Sequence, residues 1–145
     1  MSGNQRLLIA FYALIALAAL VATWSQNLAY TGGGVLSAFQ LFVQDTRINP
    51  ASRSITVDIG FFLLAASAFM VIEARRLGVR FVWLYILFGF LIAISVTFPL
   101  FMIARELRLT PAAKPDAPWS LRPSDIAGLV VIGAVVTALA WFVLH

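Results

Sequence analysis

The sequence predicts an all-α, polytopic membrane protein: a four-transmembrane-helix bundle with a short interfacial helix between the first and second spans. The chain is 62% hydrophobic and only 11% charged, with a mean hydropathy of +0.98, which is more apolar than a soluble domain of this size requires. The apolar residues form four long runs, and the charged residues lie almost wholly between them. We therefore expect residues 1–145 to form a single membrane domain.

The composition excludes several kinds of functional site. The chain has no cysteine, and its one histidine is His145, so thiolate chemistry, cysteine zinc sites and histidine metal clusters are not available within it. Its aromatic residues lie in the apolar runs and not among the basic residues, which disfavours nucleic acid as a partner and favours anionic lipid headgroups. No two carboxylates are spaced for acid–base work. We expect no enzyme activity, no cofactor and no metal.

The first predicted span covers residues 7–24, after a short polar start that contains Arg6. A helix of this length is about 27 Å long, close to the thickness of a hydrocarbon core. A cleaved signal peptide has a similar basic start, but its apolar region is usually shorter, and no small-residue cleavage pattern precedes Ser25. We therefore expect an uncleaved transmembrane helix.

A short amphipathic helix is predicted at residues 35–44, after the glycine-rich residues 31–34. Its polar residues Ser37, Gln40 and Gln44 fall on one face, and it is too short to cross a bilayer. It would lie at the interface as a lid over the bundle. A substrate-gating or partner-docking element is the alternative.

The second predicted span covers residues 54–73 and contains one acidic residue, Asp58, about one turn from its start. A carboxylate at this depth is favoured by the helix N-terminus and costs less than one at the bilayer centre. Three roles remain open for it: a capping or interfacial acid, a salt bridge to Arg47 or Arg53, and a proton or cation relay.

The third predicted span covers residues 80–103 and contains Pro99. Proline removes one backbone donor and clashes with the carbonyl four residues earlier, that of Ser95, so we expect a helix kink at Pro99. Ser95 or Thr97 would then satisfy the freed backbone groups. The alternative is a ligand pocket at the kink, and Asp58, Ser95 and Thr97 together could line a polar path.

A proline-rich loop at residues 105–123 and a fourth span at residues 125–144 complete the prediction. Pro123 precedes Ser124, which is a typical N-cap residue, and the following run is apolar or small throughout.

Four spans would place both termini on the same side of the membrane. The positive-inside count is then divided, with Arg6, Arg75, Arg76 and Arg80 on one side and Arg47, Arg53, Arg105, Arg108, Lys114 and Arg122 on the other. We predict cytoplasmic N- and C-termini, because three arginines in one tight hairpin resist translocation more than the same charges spread along a loop.

Arg75, Arg76 and Arg80 are accordingly predicted to fix the orientation and to bind anionic headgroups. Glu73 and Arg76 are three residues apart and can pair on one helix face. A docking patch for a partner protein is the alternative for this hairpin.

The order of several motifs resembles the DUF2834 family of small bacterial membrane proteins. The residues concerned are Phe39, Phe42, Asp58, residues 73–80 (EARRLGVR), Trp83 and residues 95–106 (SVTFPLFMIARE). The likeness covers about residues 1–109; the chain has Ala74 where the family tends to have glycine, and its fourth helix looks like an addition. The resemblance implies a multi-pass protein of the bacterial inner membrane and supplies no activity.

Small size and the lack of a catalytic set predict a non-enzymatic accessory or assembly module that acts with a larger membrane complex; a homo-oligomer is the other expected partner state and would be needed for most transport pathways. The alternative is a small transporter or channel that uses the polar path near Asp58, Ser95 and Thr97.

Overall fold

A computed structural model describes residues 3–109 and 122–144, and every regular element within them is helical. Residues 110–121, most of the predicted loop, lie outside the described part. The helices are α1 (Gly3–Asn27), α2 (Val35–Asp45), α3 (Pro50–Leu77), α4 (Val82–Phe88), α5 (Ile94–Arg108) and α6 (Pro123–Leu144). A 3-10 segment, Leu28–Gly33, precedes α2, and a π-helical turn, Gly89–Ala93, joins α4 to α5.

Three segments of the described chain are long and apolar enough to cross a membrane: Gln5–Gly33, Pro50–Leu77 and Val82–Arg108. The protein is therefore an all-helical membrane protein, as predicted. The fourth predicted span coincides with α6. This helix is not among the three segments, and its apolar stretch Pro123–Ile132 is shorter than they are. A bundle of four full spans is thus not established.

The local sequence explains both ends of α3. Asn49 is its N-cap and accepts a hydrogen bond from the Ser52 backbone N–H at 2.9 Å, while Pro50 occupies the first turn, where a missing N–H costs nothing. At the other end, Gly78 adopts a left-handed conformation (φ 68°), and the Val79 N–H bonds to the Ala74 carbonyl. The helix therefore begins four residues before the predicted span and ends four residues after it.

The segment from α4 to α5 folds back on itself. The rings of Tyr85 and Phe101 meet edge to face with centroids 5.7 Å apart, whereas a straight helix would separate these positions by about 24 Å along its axis. Gly89 lies so close to Thr97 that an added Cβ would be 3.1 Å from the threonine hydroxyl. Ala93 has an extended backbone (φ −179°, ψ 139°), which ends the helical path before α5 begins. The two arms therefore form a helical hairpin, which we call the re-entrant hairpin.

The direction of α5 relative to α3 follows from two contacts. Phe69 and Phe98 pack with ring centroids 6.0 Å apart, and Glu73 pairs with Arg105 at 2.7 Å. Because residue numbers rise together along the two helices, α3 and α5 run parallel. The chain thus leaves the turn between α3 and α4 through α4 and returns to the same end of the bundle through α5.

This arrangement differs from the predicted single crossing over residues 80–103, whereas the kink predicted at Pro99 stays a prediction. By length and composition the segment could cross a membrane, but its backbone turns at Ala93, six residues before Pro99. Pro99 itself is buried inside α5. The turn is stabilised by Gly89, which permits close approach of the second arm, and by Thr97, whose hydroxyl donates to the Ala93 carbonyl at 3.4 Å.

The remaining helices extend between the two ends of the bundle. Gln5 of α1 donates to the Glu106 carbonyl at the end of α5, so α1 and α5 are antiparallel. Asp125 of α6 pairs with Arg75, and farther along α6 the ring of Phe142 lies 4.2 Å from the Arg47 guanidinium carbon. We call the end with Arg75, where the turn between α3 and α4 lies, the hairpin end. We call the end with Arg47, where the tip of the re-entrant hairpin lies, the α2 end.

The chain termini consequently lie at opposite ends of the bundle, with the start of α1 at the hairpin end and the last turns of α6 at the α2 end. The prediction that both termini share one side is wrong for this structure, because the third apolar segment returns to the end from which it came. The core lies between α3, α4 and α5, where Met70, Val71 and Phe101 are completely buried.

Candidate functional site

A network of charged side chains joins α3 to α5 at the hairpin end. Arg105 donates through Nε to Glu73 Oε2 at 2.7 Å and through Nη1 to Glu106 Oε1 at 2.9 Å. Arg76 pairs with the second oxygen of Glu73 at 3.3 Å, in the spacing that the sequence indicates. Both carboxylates are buried, so these pairs hold the returning arm of the re-entrant hairpin against α3.

A second ion pair attaches α6 to α3. Arg75 donates through Nε and Nη2 to the two oxygens of Asp125, which is fully buried and also accepts the Arg122 backbone N–H at 3.0 Å. This fork geometry is specific to arginine. Arg75, predicted to meet headgroups, is therefore engaged by α6, whereas Arg76 and Arg80 are exposed.

The three residues of the predicted polar path have different surroundings. Asp58 and Ser95 are exposed, and Thr97 is buried at the re-entrant turn, where its hydroxyl meets Ala93. Within the described residues no hydrogen bond or ion pair joins any two of the three. Ser67 adds a buried hydroxyl in the middle of α3 that has no hydrogen-bond partner in the described part of the chain.

Asp58 lies in an open groove on the outer face of α3. Arg53 lines the same groove, but Asp58 forms no ion pair with it or with any other described residue. The apolar side chains of Ile55, Ile59 and Phe62 are exposed along the same helix. The groove thus presents one carboxylate on an apolar surface. Among the described residues, no three His, Asp or Glu side chains are grouped so that they could hold a metal ion.

A cavity of about 360 Å³ lies at the α2 end, between α1, the 3-10 segment, α2 and the tip of the re-entrant hairpin. The tip contributes Phe90, Leu91 and Ile92 to its wall. Trp24 also lines it, and the indole Nε1 is buried without a hydrogen-bond acceptor, which costs about 1–3 kcal/mol.

Sequence reasoning did not identify this cavity. Its walls come from residues 24–42 and 90–92, which are brought together only when α4 and α5 fold back. The available signals were the glycines at residues 32–34 and Gly89 inside an apolar run, and neither specifies a tertiary contact.

A family model described as "Protein of unknown function DUF2834" matches residues 11–107. The matched residues include the re-entrant hairpin, the Glu73–Arg105 pair and the walls of the cavity, and they end before α6. No curated protein and no solved structure matches the chain.

Proposed function

Because the chain belongs to the DUF2834 family, whose function is unknown, we propose its role from its geometry: a non-catalytic accessory or assembly module of the bacterial inner membrane. In this role it binds another membrane protein through the Asp58 groove. The partner presents an apolar helix with a basic or amide side chain at the depth of Asp58.

The observation that carries the proposal is the unpaired state of Asp58. Within the described chain, Glu73, Glu106 and Asp125 each pair with an arginine, and Asp45 accepts the Tyr30 hydroxyl at 2.7 Å. Asp58 has no such contact. A charged side chain costs about 2.5–3.5 kcal/mol at the bilayer centre and less toward the ends, and a partner with a matching donor removes this cost.

A carboxylate that pairs with a donor on another chain also fixes the position of the two helices relative to each other along their axes. The middle of the described bundle contains no acidic residue that could serve another function. It is filled by Met70, Val71 and Phe101, and the described acidic residues lie at the ends or on the outside of the bundle.

Photo-crosslinking in intact membranes tests this proposal. A crosslinker at Ile59, which is 49% exposed beside Asp58, should give an adduct with a different protein, and Asp58→Asn should reduce its yield. A crosslinker at Leu14, which is 64% exposed on α1, is the matched control and should give lipid adducts only. If the protein runs alone or crosslinks only to itself, the accessory role is refuted.

A small transporter or channel is the second candidate, and the re-entrant hairpin favours it, because broken helices in membranes often border substrate or ion paths. Asp58 lies on the outside of this bundle, so such a path would form between copies of the chain. Flux through proteoliposomes that does not change with Asp58→Asn would count against this candidate.

The positive-inside rule supports a cytoplasmic hairpin end. Among the described residues, this end carries seven arginines and the α2 end carries two: Arg6, Arg75, Arg76, Arg80, Arg105, Arg108 and Arg122 against Arg47 and Arg53. We infer that the N-terminus is cytoplasmic and that α6 ends on the opposite side of the membrane.

A further inference from the structure

The cavity under α2 is bounded by the tip of the re-entrant hairpin. A bilayer cannot hydrogen-bond to an interrupted helix, so irregular backbone at membrane depth persists only where protein buries it or where it lines a cavity. Here the π-helical turn and the extended Ala93 form such an interruption, and three tip residues form a cavity wall. The cavity is therefore a consequence of the fold and not an isolated gap.

The chemistry of the wall restricts what can bind there. Among the described residues, no Asp, Glu, Lys or Arg lines the cavity, while Trp24, Phe39, Phe42 and Phe90 provide aromatic surface. Polar groups are few, as in most small-molecule sites of comparable size. The Tyr30 hydroxyl is already engaged by Asp45. An uncharged, mainly apolar molecule fits this wall.

One donor in the wall has no acceptor. Trp24 Nε1 is buried and unpaired, and an indole N–H can only donate. Because the atom is closed to solvent, a ligand oxygen reaches it only after the cavity wall shifts. The cavity wall also includes Gly34, which has no side chain and whose added Cβ would meet nothing within 4 Å.

From these observations we propose that the cavity binds a lipid-soluble, uncharged molecule whose carbonyl oxygen accepts a hydrogen bond from Trp24 Nε1. A quinone ring and an acylglycerol ester share this chemistry. The site is independent of the Asp58 groove, because the two have no lining residue in common.

Calorimetric titration of the full chain in nanodiscs tests the site, with a short-chain benzoquinone and a short-chain diacylglycerol as probes. Saturable binding of one probe assigns the ligand class, and binding of both supports the shared chemistry. If neither binds, or if an alkylbenzene without oxygen binds as tightly, the proposal is overturned.

Two variants test the placement. Trp24→Phe keeps an aromatic ring and removes the donor, so it should weaken binding about five- to tenfold. Ala38→Phe places a ring in the cavity and should weaken binding about tenfold or more. Ala13→Phe is the matched control on the exposed face of α1 and should bind as the unmodified chain does. Equal binding by all three variants would refute the assignment.

Discussion

Glu73 receives arginine side chains from two directions, Arg76 on its own helix and Arg105 on the returning arm. A buried carboxylate with one partner removed is an uncompensated charge, which costs more than the pair contributes. Arg105 is the more important partner, because its contact joins two helices and its guanidinium also reaches Glu106.

Arg105→Ala should lower the free energy of unfolding by about 2–3 kcal/mol, since Glu73 and Glu106 then share one end of the bundle without their common cation. Chemical unfolding in detergent micelles measures this change. Arg108→Ala, on an exposed position of the same helix turn, should change stability by about 0.5 kcal/mol or less. Equal effects of the two substitutions would show that the Glu73 pair does not stabilise the fold.

At the scale of elements, the re-entrant hairpin depends on two small-scale features. Gly89 lets the second arm approach closely, and the Thr97 hydroxyl donates to the Ala93 carbonyl at the first turn of α5. The arms are short enough to enter and leave a bilayer on one side, because α5 has 15 residues and is about 22 Å long.

The absence of native cysteine allows a direct test of this hairpin by disulfide crosslinking. Tyr85→Cys combined with Phe101→Cys should form more intramolecular disulfide under mild oxidation than a control pair, because the two ring centroids lie 5.7 Å apart, whereas a continuous helix would separate these positions by about 24 Å. Tyr85→Cys combined with Leu100→Cys is the control, because Leu100 is exposed at the neighbouring position of α5. A mobility shift on non-reducing gels detects the bond. If the first pair gave no more disulfide than the control, the close approach of α4 and α5 would be contradicted.

For the whole molecule, the direction of α5 changes the distribution of charge. In the topology predicted from the sequence, the chain changes sides of the membrane after each apolar run, and the basic residues are divided almost evenly between the two sides. The fold instead gathers most of the described basic residues at the hairpin end. The same change separates the two termini.

Single-cysteine labelling in spheroplasts with a membrane-impermeant maleimide tests this topology. Arg80→Cys at the hairpin end should be labelled only after the membrane is opened, and Arg53→Cys at the α2 end should be labelled from outside. A tag after His145 should behave like the Arg53 position. Protection of both the tag and the hairpin in intact spheroplasts would contradict the arrangement.

The sequence alone determined the helical class, the membrane environment, the family and the pairing of Glu73 with Arg76. These properties depend on composition or on residues a few positions apart, such as Glu73 with Arg76. Hydropathy measures the length of an apolar run and not its path, so it could not distinguish one crossing from two short arms. Pro99 is the residue with a known local effect on a helix, yet the chain turns at Ala93, which carries no such signal.

Only the tertiary structure decided that the third segment folds back, that Arg105 faces Glu73 and that a cavity forms under α2. Each result depends on contacts between residues far apart in the chain, such as Arg75 with Asp125 and Tyr85 with Phe101. Such contacts form when packing at a buried interface is satisfied on both sides, and no local pattern in either partner specifies the other.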